Sequence, residues 1–66
     1  MALEVSVTDT RRTWQEVARE QAYSLRYLGE KVGRTHATML AYSMGKRRTP
    51  REILDRMSAL FGEDVR

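Results

Sequence analysis

Hydrophobic and polar residues alternate strictly over residues 3–8 of the chain. A period of two is typical of a half-buried β-strand. From about residue 10 onward, hydrophobic positions instead recur every three or four residues, which is the spacing of an amphipathic α-helix. The pattern therefore predicts an N-terminal flexible arm or short strand over residues 1–9, a helical domain over 10–62 and a short tail over 63–66.

The first two helices are marked by capping residues. The first helix is predicted over residues 10–22, with Thr13 and Glu16 forming a capping box. The second helix begins after Ser24 as N-cap and ends at Gly33. The residues predicted to face the core are Trp14, Val17, Ala18 and Ala22 in the first helix, and Leu25, Leu28 and Val32 in the second.

The last two helices are delimited in the same way. The third helix is predicted from a Thr35 N-cap to about Met44, where Gly45 stops it. The fourth helix is predicted to start with Thr49 as N-cap and Pro50 in its first turn. The residues predicted to face the core are Met39 and Tyr42 in the third helix, and Ile53, Leu54, Met57, Leu60 and Phe61 in the fourth. Short connections between such helices favour an all-α fold, a compact bundle of four to five helices.

Composition narrows the possible functions. The chain has 66 residues, which is enough for one small domain. It has no cysteine, which excludes disulfides and thiolate metal sites, and its single histidine cannot hold a metal ion alone. No hydrophobic run approaches the ~18 residues that a membrane span requires. Because a nucleophile–base pair and a phosphate-binding glycine loop are also missing, we expect a soluble cytoplasmic protein without cofactor, metal, membrane partner or enzymatic activity.

The basic charge is concentrated in one part of the chain. The net charge is +3, while residues 1–33 are balanced and residues 52–66 carry more acids than bases. The stretch 34–51 contains no acidic residue and five basic ones, which are Arg34, Lys46, Arg47, Arg48 and Arg51. Such a run can be an ordinary solvated face. It is also typical of a nucleic-acid-binding surface on a small domain.

The second and third helices are predicted to be joined by a tight turn at Gly33, with Gly29 kept small where the two helices approach. This segment, residues 24–42, resembles the helix-turn-helix of the Cro/phage-repressor (Xre-like) DNA-binding family. A glycine–lysine loop at residues 44–50 and the flanking helices extend the resemblance over residues 12–62. The resemblance implies a lambda-repressor-like fold, with residues 35–44 as the recognition helix in the major groove of double-stranded DNA.

The resemblance also implies roles for individual side chains. Contacts to bases are expected at Thr35, His36, Ala37, Thr38 and Ala41. Contacts to phosphates are expected at Ser24, Arg34, Lys46, Arg47, Arg48 and Arg51. The sequence departs from the family pattern at Arg34 and at Leu25, where an apolar turn residue and a glutamine are usual. The third helix also offers no Arg, Gln or Asn for a bidentate base contact, so we expect methyl contacts from the alanines and some readout of DNA shape.

The function implied is that of a sequence-specific transcriptional regulator, a Cro-like bacteriophage repressor in the cytoplasm of a bacterial host cell. We expect a monomer or weak homodimer that pairs on a palindromic operator. A recombination accessory protein of the phage-excisionase kind is one alternative. An antitoxin-like protein-interaction module on the same fold is another, and it depends on whether Leu40 and Met44 are exposed. The sequence leaves open whether these two residues meet thymine methyl groups or a protein.

Overall fold

The computed structural model describes residues 9–66, and this part of the chain forms four α-helices and no β-strand. The helices are α1 (Trp14–Glu20), α2 (Leu25–Val32), α3 (His36–Ser43) and α4 (Arg51–Phe61). The prediction of an all-α fold is therefore confirmed. The alternating segment at residues 3–8, predicted as an arm or strand, lies outside the described residues.

Helix α1 starts at the predicted capping box but is shorter than predicted. The Thr13 hydroxyl accepts a hydrogen bond from the Glu16 amide at 3.2 Å, and the Glu16 carboxylate accepts one from the Thr13 amide at 3.1 Å. The predicted range 10–22 is wrong at both ends. Arg12 is extended and pairs with the C-terminal tail, while Ala22 has φ 61° and ends the helical conformation. Ala22 is therefore exposed in a turn and does not contribute to the inner face of α1.

A close helix approach shapes the connection between α2 and α3. Gly33 has φ 77°, and the Arg34 amide after it donates to the Gly29 carbonyl at 2.8 Å. A Cβ atom on Gly29 would lie 2.5 Å from the Arg34 carbonyl oxygen and 3.3 Å from the Met39 side chain. The predictions that Gly29 must be small and that Gly33 must accept a positive φ are confirmed.

Helix α4 begins one residue later than predicted. Pro50, with ψ 150°, is the N-cap, and its carbonyl accepts from the amides of Ile53 and Leu54 at 3.0 Å each. In the part of the chain that the structure describes, no side chain caps this helix. The prediction of Thr49 as N-cap is wrong because Pro50 takes an extended conformation and does not join the first helical turn.

The core is built from one face of each helix. Helix α2 packs mainly against α3 and α4, and α1 packs against α4. The buried hydrophobic residues are Trp14, Val17, Ala18, Leu28, Val32, Met39, Tyr42, Ile53, Met57, Phe61 and Val65. Leu25, Leu54 and Leu60 are partly buried against this cluster. Apart from Ala22, every residue predicted to face the core therefore does so.

The last residues of the chain complete the core. Val65 is only 2% exposed, and its amide donates to the Ser58 hydroxyl at 3.1 Å. The neighbouring Arg66 exchanges two backbone hydrogen bonds with the start of the domain, to Arg12 at 3.0 Å and from Trp14 at 2.9 Å. The sequence pattern sets residues 63–66 apart as a tail, whereas the structure packs this segment against the residues that lead into α1.

Candidate nucleic-acid interface

Helix α3 has a buried side and a solvent-facing side. Met39 and Tyr42 face the core. A residue advances about 100° around a helix, so the direction opposite to these two is occupied by positions 37, 40, 41 and 44. The eight residues of this helix contain no Arg, Lys, Asn, Gln, Asp or Glu. Its exposed side is therefore unusually poor in long polar side chains.

The residues predicted to contact bases all lie on or next to this helix. Thr35, His36 and Ala37 are exposed, whereas Thr38 and Ala41 are partly buried. The Thr35 hydroxyl caps α3 by accepting from the Thr38 amide at 3.2 Å, and the two threonine hydroxyls lie 3.0 Å apart in a hydrogen bond. His36 and Thr38 are about 200° apart around the helix, so they border opposite edges of the exposed face.

Two large hydrophobic side chains occupy the middle of that face. Leu40 is 41% exposed and Met44 is 58% exposed. The Met44 amide still donates to the Leu40 carbonyl at 2.9 Å, so the helical conformation continues through Met44. Leu40, which the sequence left unassigned, therefore points to solvent from the same face as Ala37 and Ala41.

The loop after α3 is held by backbone hydrogen bonds. Gly45 has φ 76°, which turns the chain back, and the amides of Lys46 and Arg47 both donate to the Ala41 carbonyl, at 3.0 and 3.4 Å. These bonds satisfy the C-terminal end of α3 in the manner of a glycine cap. The backbone of Lys46 and Arg47 is thereby held directly beside the C-terminal end of the exposed α3 face.

The four basic residues of this region are exposed. The Arg47 guanidinium lies 6.0 Å from the centroid of the Tyr42 ring, at the outer limit of a cation–π contact. Arg51 lies 3.9 Å from the Asp55 carboxylate, but the side chains are 88% and 70% exposed, and so open a pair contributes little. Within residues 9–66, Lys46 and Arg48 form no salt bridge. Positive charge in the loop therefore remains open to a partner.

The other two residues predicted to contact phosphate lie at the ends of α2. Ser24 is exposed and caps this helix, its hydroxyl accepting from the Tyr27 amide at 3.0 Å. The hydroxyl can still donate to an anion. Arg34 is partly buried, and its guanidinium donates to the Gly33 carbonyl at 2.9 Å. One of its donors is thus used within the turn, and the others have no partner among residues 9–66.

Two arginines have structural roles that the sequence pattern does not reveal. Arg56 of α4 donates to the Val32 carbonyl at 2.8 Å and to the Glu52 carboxylate at 2.7 Å, which ties the end of α2 to α4. Arg12 binds both Glu63 and Glu20. Hydrogen bonds from Arg12 lower the pKa of the Glu63 carboxyl and the pKa of the Glu20 carboxyl. Arg56 and Val32 are 24 residues apart along the chain, and Arg12 and Glu63 are 51 apart. Helical spacing therefore does not indicate either contact.

None of the helices in residues 9–66 has the length and apolar character needed to cross a membrane. The same residues contain no group of three or more His, Asp or Glu side chains that could hold a metal ion. No family model, curated protein or solved structure matches the chain.

Proposed function

We propose that this protein binds double-stranded DNA in a sequence-specific manner and regulates transcription, most simply as a repressor of the Cro type. In this proposal α2 and α3 act as a helix-turn-helix, and α3 enters the major groove. The proposal rests above all on one observation: the exposed face of α3 is continuous with a basic loop inside an 18-residue stretch, 34–51, that has no acidic side chain.

The dimensions of α3 suit this role. An α-helix with its side chains has a diameter of about 10–12 Å. The major groove of B-DNA is about 12 Å wide and admits one α-helix. The close approach at Gly29 and the Arg56 contact to the Val32 carbonyl brace the turn before α3. Such bracing favours a recognition element, because a helix that reads bases has to be held in a fixed orientation.

The two groups of residues have different tasks in this proposal. Lys46, Arg47, Arg48 and Arg51 bind phosphates and supply affinity that is independent of sequence. His36 and the other exposed residues at the start of α3 contact base edges, as the N-terminal residues of a recognition helix do. Because one such helix covers only a few base pairs, two copies are proposed to bind half-sites about 34–36 Å apart on a palindromic operator.

Selection of duplexes from a random pool tests the proposal. The expected result is an enriched motif with inverted symmetry. His36→Ala should then relax the preference at particular base pairs by about 1–3 kcal/mol while leaving affinity for random DNA unchanged. The matched control is Ala59→Ser, an exposed change on α4 that should leave both quantities unchanged. A pool that stays unenriched after repeated selection contradicts sequence-specific binding.

A second candidate function, a protein-interaction module of the antitoxin kind, is favoured by the exposure of Leu40 and Met44. Exposed large hydrophobic side chains often mark a protein contact. The two candidates separate in one comparison. If the protein binds DNA, the purified protein should bind the selected duplex with no other protein present. If it is an interaction module, it should bind one specific protein and no duplex.

A further inference from the structure

The solvent-facing side of α3 is a hydrophobic surface that the core of residues 9–66 does not use. Leu40 and Met44 are the large hydrophobic side chains that remain exposed in residues 9–66. They lie one turn apart, and Ala37 and Ala41 complete the same face at spacings of three, four and seven residues. The core takes Met39 and Tyr42 from the other side of the helix. This surface is named here the apolar face of α3, and it consists of Ala37, Leu40, Ala41 and Met44.

The surroundings of the apolar face are cationic. Lys46 and Arg47 follow its C-terminal end and are held there by the hydrogen bonds that their backbone amides donate to the Ala41 carbonyl. Acidic residues are absent from position 34 to position 51. A partner that is anionic at its border and apolar at its centre would therefore complement this face. Duplex DNA has this combination in the major groove, where phosphates flank the bases and pyrimidine 5-methyl groups project from the floor.

The chemistry of α3 narrows what it can read in that groove. Bidentate recognition of guanine or adenine needs Arg, Lys, Asn or Gln. Accepting a hydrogen bond from the amino group of cytosine needs Asp or Glu. None of these six residue types occurs in His36–Ser43. The four residues of the apolar face itself have no polar side-chain group for a base edge, so the group in the major groove that suits them is the 5-methyl group, which is recognised by apolar contact.

We infer that the apolar face of α3 reads 5-methylpyrimidines, with Leu40 and Met44 as specificity-determining residues in addition to the two alanines. The inference rests on the proposed function and names the group that it recognises. It has a consequence that hydrogen-bond readout does not share. Thymine and 5-methylcytosine present the same methyl group in the groove, so at a contacted position each should bind more tightly than its unmethylated counterpart, uracil or cytosine.

Base analogues that differ only in the methyl group provide the test. The probe is the duplex recovered by selection, remade with uracil in place of thymine at one position at a time. At each contacted position the affinity should fall about three- to fivefold, the fold-change that corresponds to losing burial of one methyl group. A 5-methylcytosine–guanine pair at the same position should bind more tightly than an unmodified cytosine–guanine pair.

Variants of the face assign the effect to its residues. Leu40→Gln and Met44→Gln keep helix-forming character at exposed positions but remove the apolar end of the side chain. Each should reduce the thymine–uracil difference while retaining affinity for random DNA and the thermal midpoint of the free protein. The matched control is Ala59→Gln, an apolar-to-glutamine change at an exposed position of α4, which should keep the full difference.

The possible failures are distinguishable. Equal affinity for the thymine and uracil duplexes overturns methyl readout and leaves sequence-specific DNA binding intact. Absence of binding to any duplex overturns both proposals. Self-association of the free protein that Leu40→Gln abolishes would assign the apolar face to a second copy of the chain, and this result also overturns the inference.

Discussion

Gly29→Ala should destabilise the protein, although alanine is ordinarily the better residue inside a helix. The added Cβ would lie 2.5 Å from the Arg34 carbonyl oxygen, whereas real Cβ atoms keep at least 3.0 Å from such neighbours. The Arg34 backbone would have to move by about half an ångström. That movement is opposed because the Arg34 amide is itself hydrogen-bonded to the Gly29 carbonyl at 2.8 Å.

The expected magnitude follows from two opposing effects. Overpacking in a closely packed site costs about 1–3 kcal/mol. Replacing glycine by alanine in a helix contributes about 1 kcal/mol in the other direction. The difference is a net loss of about 0–2 kcal/mol in the free energy of unfolding, and we expect the upper half of that range, about 1–2 kcal/mol, because the clash is with backbone and not with the end of a flexible side chain. For a domain of this size, that loss lowers the thermal midpoint by about 5–15 °C.

Thermal unfolding followed by circular dichroism measures the effect, and Ala59→Gly is the matched control. Position 59 lies exposed on α4, so glycine there should cost about 1 kcal/mol through helix propensity alone. Alanine is therefore expected to be the more stable residue at position 59 and the less stable one at position 29. A Gly29→Ala variant with a raised thermal midpoint would refute the argument that α2 and the turn approach too closely for a side chain.

Three further predictions concern the tail, the acidic partners of Arg12 and the basic loop. Val65→Ala should lower the free energy of unfolding by about 2 kcal/mol, because it removes buried methyl groups and leaves a cavity. Glu63→Gln should flatten the dependence of stability on pH below pH 5. A hydrogen bond from Arg12 lowers the pKa of Glu63 from its ordinary value of 4.5. The interaction between the two residues therefore stabilises the fold fully above pH 4.5, and this stabilisation is lost as the pH falls through the lowered pKa. Arg48→Ala should reduce the log–log salt dependence of DNA affinity by about one unit, whereas Arg19→Ala, an exposed change outside the basic stretch, should not.

If urea unfolding gave Val65→Ala the same free energy of unfolding as the wild type, the C-terminal segment would contribute nothing to the core. Parallel curves of thermal midpoint against pH for wild type and Glu63→Gln would exclude a folded-state role for the Arg12 pair. A change in sequence preference with an unaltered salt slope in Arg48→Ala would show that this arginine reads bases.

Much of the fold follows from local signals in the sequence. The Thr13 capping box, the helix stop at Gly33 and the inner face of α4 all depend on residues within one or two turns of each other. Hydrophobic spacing and capping chemistry describe such short-range relations well. These parts of the structure could therefore be predicted from the order of residues alone.

The parts that could not be predicted depend on distant contacts or on a single backbone angle. Arg12 meets Glu63 and Val65 across more than fifty positions, and no periodic pattern indicates such a pairing. The end of α1 depends on a left-handed conformation at Ala22, which alanine rarely adopts. At the candidate interface, the sequence supplied the predicted contact residues, but only the structure shows that Leu40 and Met44 are exposed together.

Mapping backbone amide shifts during titration with the selected duplex tests the central claim most directly, namely that α3 and the following loop form a DNA-binding surface. The largest changes should fall in His36–Met44 and in residues 46–51, and they should weaken as salt is added. The amides of α1 and of residues 63–66 should change little. Changes centred on α1 and the C-terminal residues, or no change at low salt, would contradict the account.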